Sequence, residues 1–96
     1  MANSKYIFLD EFCEYHAVKI SFLHELGEHQ LVEINRQSSR PCVSEDQIPH
    51  LEKMIRMNRD LDLNVPGIEV ALNLLDEIDR HKSRIIELEN RLRRFE

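Results

Sequence analysis

Leu63-Asn64-Val65-Pro66-Gly67-Ile68-Glu69-Val70-Ala71-Leu72-Asn73-Leu74-Leu75-Asp76-Glu77-Ile78 opens a stretch, continuing to Glu96, that reads as one helix with two apolar stripes. Pro66 suits a first turn, whose amides have no intrahelical partner, and Glu69 suits the positive end of the helix dipole. One stripe is Ala71, Leu74, Ile78, His81, Ile85, Leu88, Leu92 and Phe95, in steps of three and four with His81 as its single polar member. That is the spacing of a coiled-coil seam. The other, Ile68, Leu72 and Leu75, stops where Asp79, Lys82, Glu89 and Arg93 take the neighbouring positions. The helix therefore starts against a folded body and leaves it. Roughly 30 residues at 1.5 Å each span about 45 Å, more than a small domain can cover, so the seam predicts a homodimer.

Working upstream, Leu9, Phe12 and Cys13 mark a two-turn helix, His16-Ala17-Val18 a turn, and Ile20, Leu23 and Leu26 a second short helix. Together they predict a helix-turn-helix. Tyr6-Ile7-Phe8 is a short apolar lead-in. Leu31-Val32-Glu33-Ile34 and Pro41-Cys42-Val43 predict two brief strands, closed over the polar stretch Asn35 to Arg40 as a wing. Ser44 and Gln47 have capping-box spacing before a third helix that carries Ile48, Leu51, Met54 and Ile55 and runs to about Asp60. Pro49 sits too deep for a clean start at Ser44, so this helix is kinked or begins later. The expected fold is mostly α: a winged helix-turn-helix over residues 1–62, then a long dimerisation helix over 63–96.

Ninety-six residues make one small domain with a modest core, for which association is an ordinary way of burying more apolar surface. The net charge is -5 and none of the segments 1–43, 44–62 and 63–96 is basic, which argues against a nucleic-acid footprint and favours basic protein surfaces as partners. Nothing reads as a signal peptide or a membrane span. Cys13 and Cys42 lack framework spacing and fit reduced thiols, hence a cytoplasmic protein. Cys13 and His16, three apart, are too sparse a set for a metal site, and no phosphate-binding loop or nucleophile constellation is present. No cofactor, metal or catalytic residue is expected.

The element order is similar to the MerR-type winged-helix fold with its dimerising antiparallel coil. The stretch from Leu61 to Ile78, with its Pro66-Gly67-Ile68 step, Val70-Ala71-Leu72 and the acidic pair Asp76-Glu77 before Ile78, resembles the chaperone-modulator CbpM family. The resemblance continues weakly through Arg56 upstream and Leu88, Leu92 and Phe95 downstream. It implies a dimeric, non-catalytic adaptor that binds the J-domain of a DnaJ-like co-chaperone of the curved DNA-binding protein A type and restrains it. Such a bacterial protein could reach the nucleoid through its partner.

The residues themselves leave two readings open. In a DNA reader the second helix offers Arg, Lys, Asn or Gln to the major groove. Here it offers Glu25 and Glu28 and neither Lys nor Arg, leaving Lys19, Arg36 and Arg40 at its edges. Direct DNA binding is therefore not expected, and a MerR-type transcriptional regulator is the alternative. For the adaptor, the candidate partner contacts are Glu25, Glu28, Asp76 and Glu77, with Phe22 as an anchor only if it points outward. Each carboxylate alone reads first as a solvated charge. His81 reads first as a packing irregularity in the seam and second as a pH-sensitive element.

Overall fold

The computed structural model describes residues 5–95. In chain order the elements are β1 (Tyr6–Phe8), α1 (Leu9–His16), α2 (Ile20–Glu28), β2 (Asn35–Gln37), β3 (Arg40–Ser44), a 3-10 turn (Glu45–Gln47), α3 (Ile48–Leu61) and α4 (Val65–Arg93). The mostly helical winged architecture is present. The apolar lead-in is itself a strand: β3 lies between β1 and β2 and pairs antiparallel with both, Ile7 opposite Val43 and Arg36 opposite Pro41.

The core gathers Leu9 and Phe12 of α1, Leu23 and Leu26 of α2, Val43 of β3, Leu51 and Met54 of α3, and Val65 and Ile68 of α4. α1 stops at Ala17, whose left-handed φ of 56° lets the Val18 amide return to the Cys13 carbonyl at 3.0 Å. Arg59 of α3 reaches across to donate to the carbonyls of His16 and, at 2.8 Å, Ala17. The helix-turn-helix corner is thus tied to α3.

Two expected features lie elsewhere. Leu31 to Ile34 is not a strand. The Leu31 amide closes the end of α2 on the Leu26 carbonyl at 2.9 Å, and Val32 is buried as a core plug. The wing strand is the polar Asn35–Gln37, turned by Ser38 and Ser39, both at positive φ, as a two-residue hairpin turn demands. Nor do Ser44 and Gln47 form a capping box. Ser44 makes no side-chain cap, the Gln47 Oε1 accepts from the Glu33 amide at 3.1 Å, and α3 starts later, with Pro49 in its first turn.

α4 is capped by Asn64, whose side chain accepts from the Gly67 amide at 2.9 Å, while Asn58 Nδ2 donates to the Leu63 carbonyl at 2.8 Å. Val65 and Ile68 are buried and Ala71 and Leu72 pack against the core, but Leu75, expected on the same face, is exposed. Beyond Leu72 every described residue of the helix is exposed. The radius of gyration of 17.9 Å exceeds the roughly 12–13 Å of a compact chain of this length. Ile68→Ala should cost about 2–4 kcal/mol by leaving a cavity at the root of α4, whereas Leu75→Ala should cost less than about 1 kcal/mol. Urea midpoints of the two variants measure the contrast.

Candidate functional site

α2 packs Leu23 and Leu26 inward, half-buries Phe22 against the core and leaves Glu25 and Glu28 on the surface. Phe22 thus belongs to the packing rather than to an outward anchor. The nearby cations are largely engaged. Arg40 Nη2 holds both oxygens of Asp10 at 3.0 and 3.1 Å and its guanidinium lies 3.7 Å from the centre of the Phe8 ring. Arg36 Nη1 donates to the Ser39 carbonyl at 2.9 Å, rigidifying the wing tip. Lys19 sits at the N-cap position of α2.

His29, just past α2, places Nδ1 3.0 Å from Glu69 Oε1 of α4. Glu25 and His29 are four apart on one face of α2, and Glu69 and Asp76 are seven apart on one face of α4. The His29–Glu69 contact ties the end of α2 to α4, with Glu25 one turn before it on α2 and Asp76 two turns beyond it on α4. Asp76 lies two turns, about 10 Å, further along α4 and pairs with Arg80 at 2.8 Å in an exposed i,i+4 contact. Glu77 faces about 100° away and has no ion-pair partner among the described residues. The four candidate carboxylates do not form one cluster. All four are exposed, and Asp76 alone of them has an ion-pair partner among the described residues.

The seam expected for dimerisation lies roughly a third of a turn round α4 from the buried face. Leu74, Ile78, His81, Ile85, Leu88, Leu92 and Phe95 are all exposed, Leu74 by 54% and Ile78 by 48%, while Ala71 packs at home. Asp76 is about 200° round from both Leu74 and Ile78, and Glu77 borders the seam about 100° from Ile78. Charge is split along the same helix. Glu69, Asp76, Glu77 and Asp79 stand in its first half without a Lys or Arg, and Arg80, Lys82, Arg84, Arg91, Arg93 and Arg94 outnumber Glu87 and Glu89 in the second. The helix dipole acts within the end turns and so does not account for Asp76 to Asp79.

Cys13 and Cys42 are both buried and free. Burial, and secondarily the Asp10 carboxylate, push the Cys13 thiol up. His16 Nε2 faces Glu52 Oε2 at 3.8 Å, and no group of three or more His, Cys, Asp or Glu side chains gathers closely enough to hold a metal among the described residues. No described helix is long and apolar enough to cross a membrane.

The profile of the MerR HTH family regulatory proteins matches residues 7–90. The chaperone modulatory protein CbpM of Pseudomonas entomophila is 30% identical over 84 residues, 86% of this chain and 83% of that protein. That of Coxiella burnetii is 32% identical over 82 residues, 84% of this chain and 77% of its own. The raised Cys13 pKa keeps the thiol protonated and unreactive at neutral pH. Iodoacetamide should therefore label the native protein slowly from pH 7 to 8.5, with both thiols reacting readily once urea exposes them. Mass spectrometry of the time course checks this.

Proposed function

The chain belongs to the MerR helix-turn-helix family and, within it, to the chaperone modulatory proteins named CbpM, and on that premise we propose that it is a non-catalytic chaperone modulator acting as a homodimer on the J-domain of a DnaJ-like, curved-DNA-binding type of co-chaperone. The observation that carries the choice over a DNA-reading role is the second helix of the helix-turn-helix: from Ile20 to Glu28 it has neither Lys nor Arg and exposes Glu25 and Glu28. Phosphate contacts supply most of the non-specific attraction of a protein to DNA, and a carboxylate-bearing helix opposes them. The engagement of Arg40 by Asp10 and Phe8 supports the same reading.

In this reading the labour divides along the chain. The winged helix-turn-helix, with the root of α4, forms the body that meets the co-chaperone, and the rest of α4 joins two copies through the exposed seam. The split charge of α4 favours antiparallel pairing, which lays the acidic half of one helix along the basic half of the other and steers the encounter. Asp76, on the side opposite the seam, stays open in such a pair and can meet a basic J-domain surface together with Glu25 and Glu28. Glu77 borders the seam and serves the pairing first. The setting is cytoplasmic, with access to the nucleoid through the co-chaperone.

Asp76→Lys should weaken J-domain affinity about tenfold, some 1.4 kcal/mol, in calorimetry while the sedimentation mass stays that of a dimer. Unaltered affinity would move the partner site off this face of α4, and binding to duplex DNA in place of a J-domain would restore the regulator reading. Leu74→Arg combined with Ile78→Arg should yield a folded monomer in sedimentation equilibrium. A persisting dimer would show that the copies meet through another surface.

A further inference from the structure

A groove of about 300 Å³ opens between β1, α1 and the first turns of α3, on a part of the body that neither the seam nor Asp76 uses. Ile7, Phe12 and Ile48 supply its apolar wall. His16 stacks on Phe12 with ring centroids 4.2 Å apart, and Tyr15 meets His16 edge-on at 5.0 Å, so three rings continue one another to the rim. Tyr15 is 85% exposed, far more than packing requires. Glu11 and Glu52 stand at the groove and no Lys or Arg lines it. The Glu52 carboxylate has only the 3.8 Å approach of His16, and Glu11 has no ion-pair partner among the described residues.

We propose that this groove is a second docking site, built for a protein segment that presents an aliphatic side chain flanked by arginine or lysine. The wall takes the aliphatic group, the two carboxylates take the cations, and the exposed Tyr15 ring offers a face to a guanidinium. Tyrosine and arginine, with tryptophan, are enriched among the residues that dominate interface energetics. A nucleic acid is excluded by the carboxylates. The site stands on the groove alone and does not depend on the dimer or on the identity of the co-chaperone.

The probe is a fluorescein-labelled, amidated 12-residue peptide with two leucines three apart and four flanking arginines. It is titrated into the full-length protein at low salt and followed by anisotropy and by isoleucine-methyl NMR. The Arg-Leu peptide should bind and shift the Ile7 and Ile48 methyls. Glu11→Gln with Glu52→Gln should weaken it about tenfold and Tyr15→Ala at least threefold, each variant keeping the wild-type melting curve, while Asp76→Asn leaves it unchanged. Several outcomes overturn the site: no binding, equal binding of a peptide with Glu for Arg or Ser for Leu, methyl shifts confined to α4, or affinity indifferent to the Glu11 and Glu52 pair. Tyr15→Phe serves as a second variant that leaves the ring and removes the hydroxyl, and should bind as the wild type does.

Discussion

The burial of Val65 and Ile68 is the constraint on which the rest of the molecule depends. These two side chains fasten the first turn of α4 into the same core that holds α1, α2 and α3, and everything further along the helix projects from that attachment. Three local devices fix the point of entry. Asn64 caps the helix, Pro66 occupies a position where no amide is needed, and Asn58 holds the Leu63 carbonyl. Because the buried face ends at Leu72, the remaining turns gain nothing from the home body. Their helical form rests on propensity and on exposed pairs such as Asp76–Arg80 and Arg84–Glu87.

Much of this was legible in the sequence because helical periodicity is a strong signal when apolar residues recur over several turns. α1, α2, α3 and α4 all follow their apolar spacing, and the departure of α4 from the core is visible in the fading of its second stripe. The strands were harder, for physical reasons. Tyr6–Phe8 has only three residues, too few to show alternation, and is a strand only because β3 offers it an edge. Leu31 to Ile34 is apolar because it plugs the core from a loop, whereas the real wing strand is polar and is set by the turn at Ser38 and Ser39. Ser44 and Gln47 matched a capping pattern, but the glutamine found a better acceptor role at the Glu33 amide.

The candidate surface was legible in kind and not in arrangement. The acidic character of α2 is plain from its residues. The end of α2 is tied to α4 by His29 meeting Glu69 across 40 positions of chain, and no local pattern announces that contact. The same applies to Arg40, which counts as a free wing cation in the sequence and is held by Asp10, 30 positions away. Long-range pairing decides which charges remain available to a partner. In this chain it engages Arg40 with Asp10 and His29 with Glu69, and it leaves Glu25, Glu28 and Glu77 without an ion-pair partner among the described residues.

The capped and proline-set root of α4 also makes the helix a lever. Its 29 residues extend about 43 Å, so a tilt of only ~5° at the attachment displaces the far end by about 4 Å. Substitutions around Asn58, Asn64 or Ile68 can therefore retune the position of the tip without altering any residue on it. Relatives that keep the same exposed stripe can in this way differ in reach through changes confined to the hinge of the arm, with the buried root acting as the fulcrum.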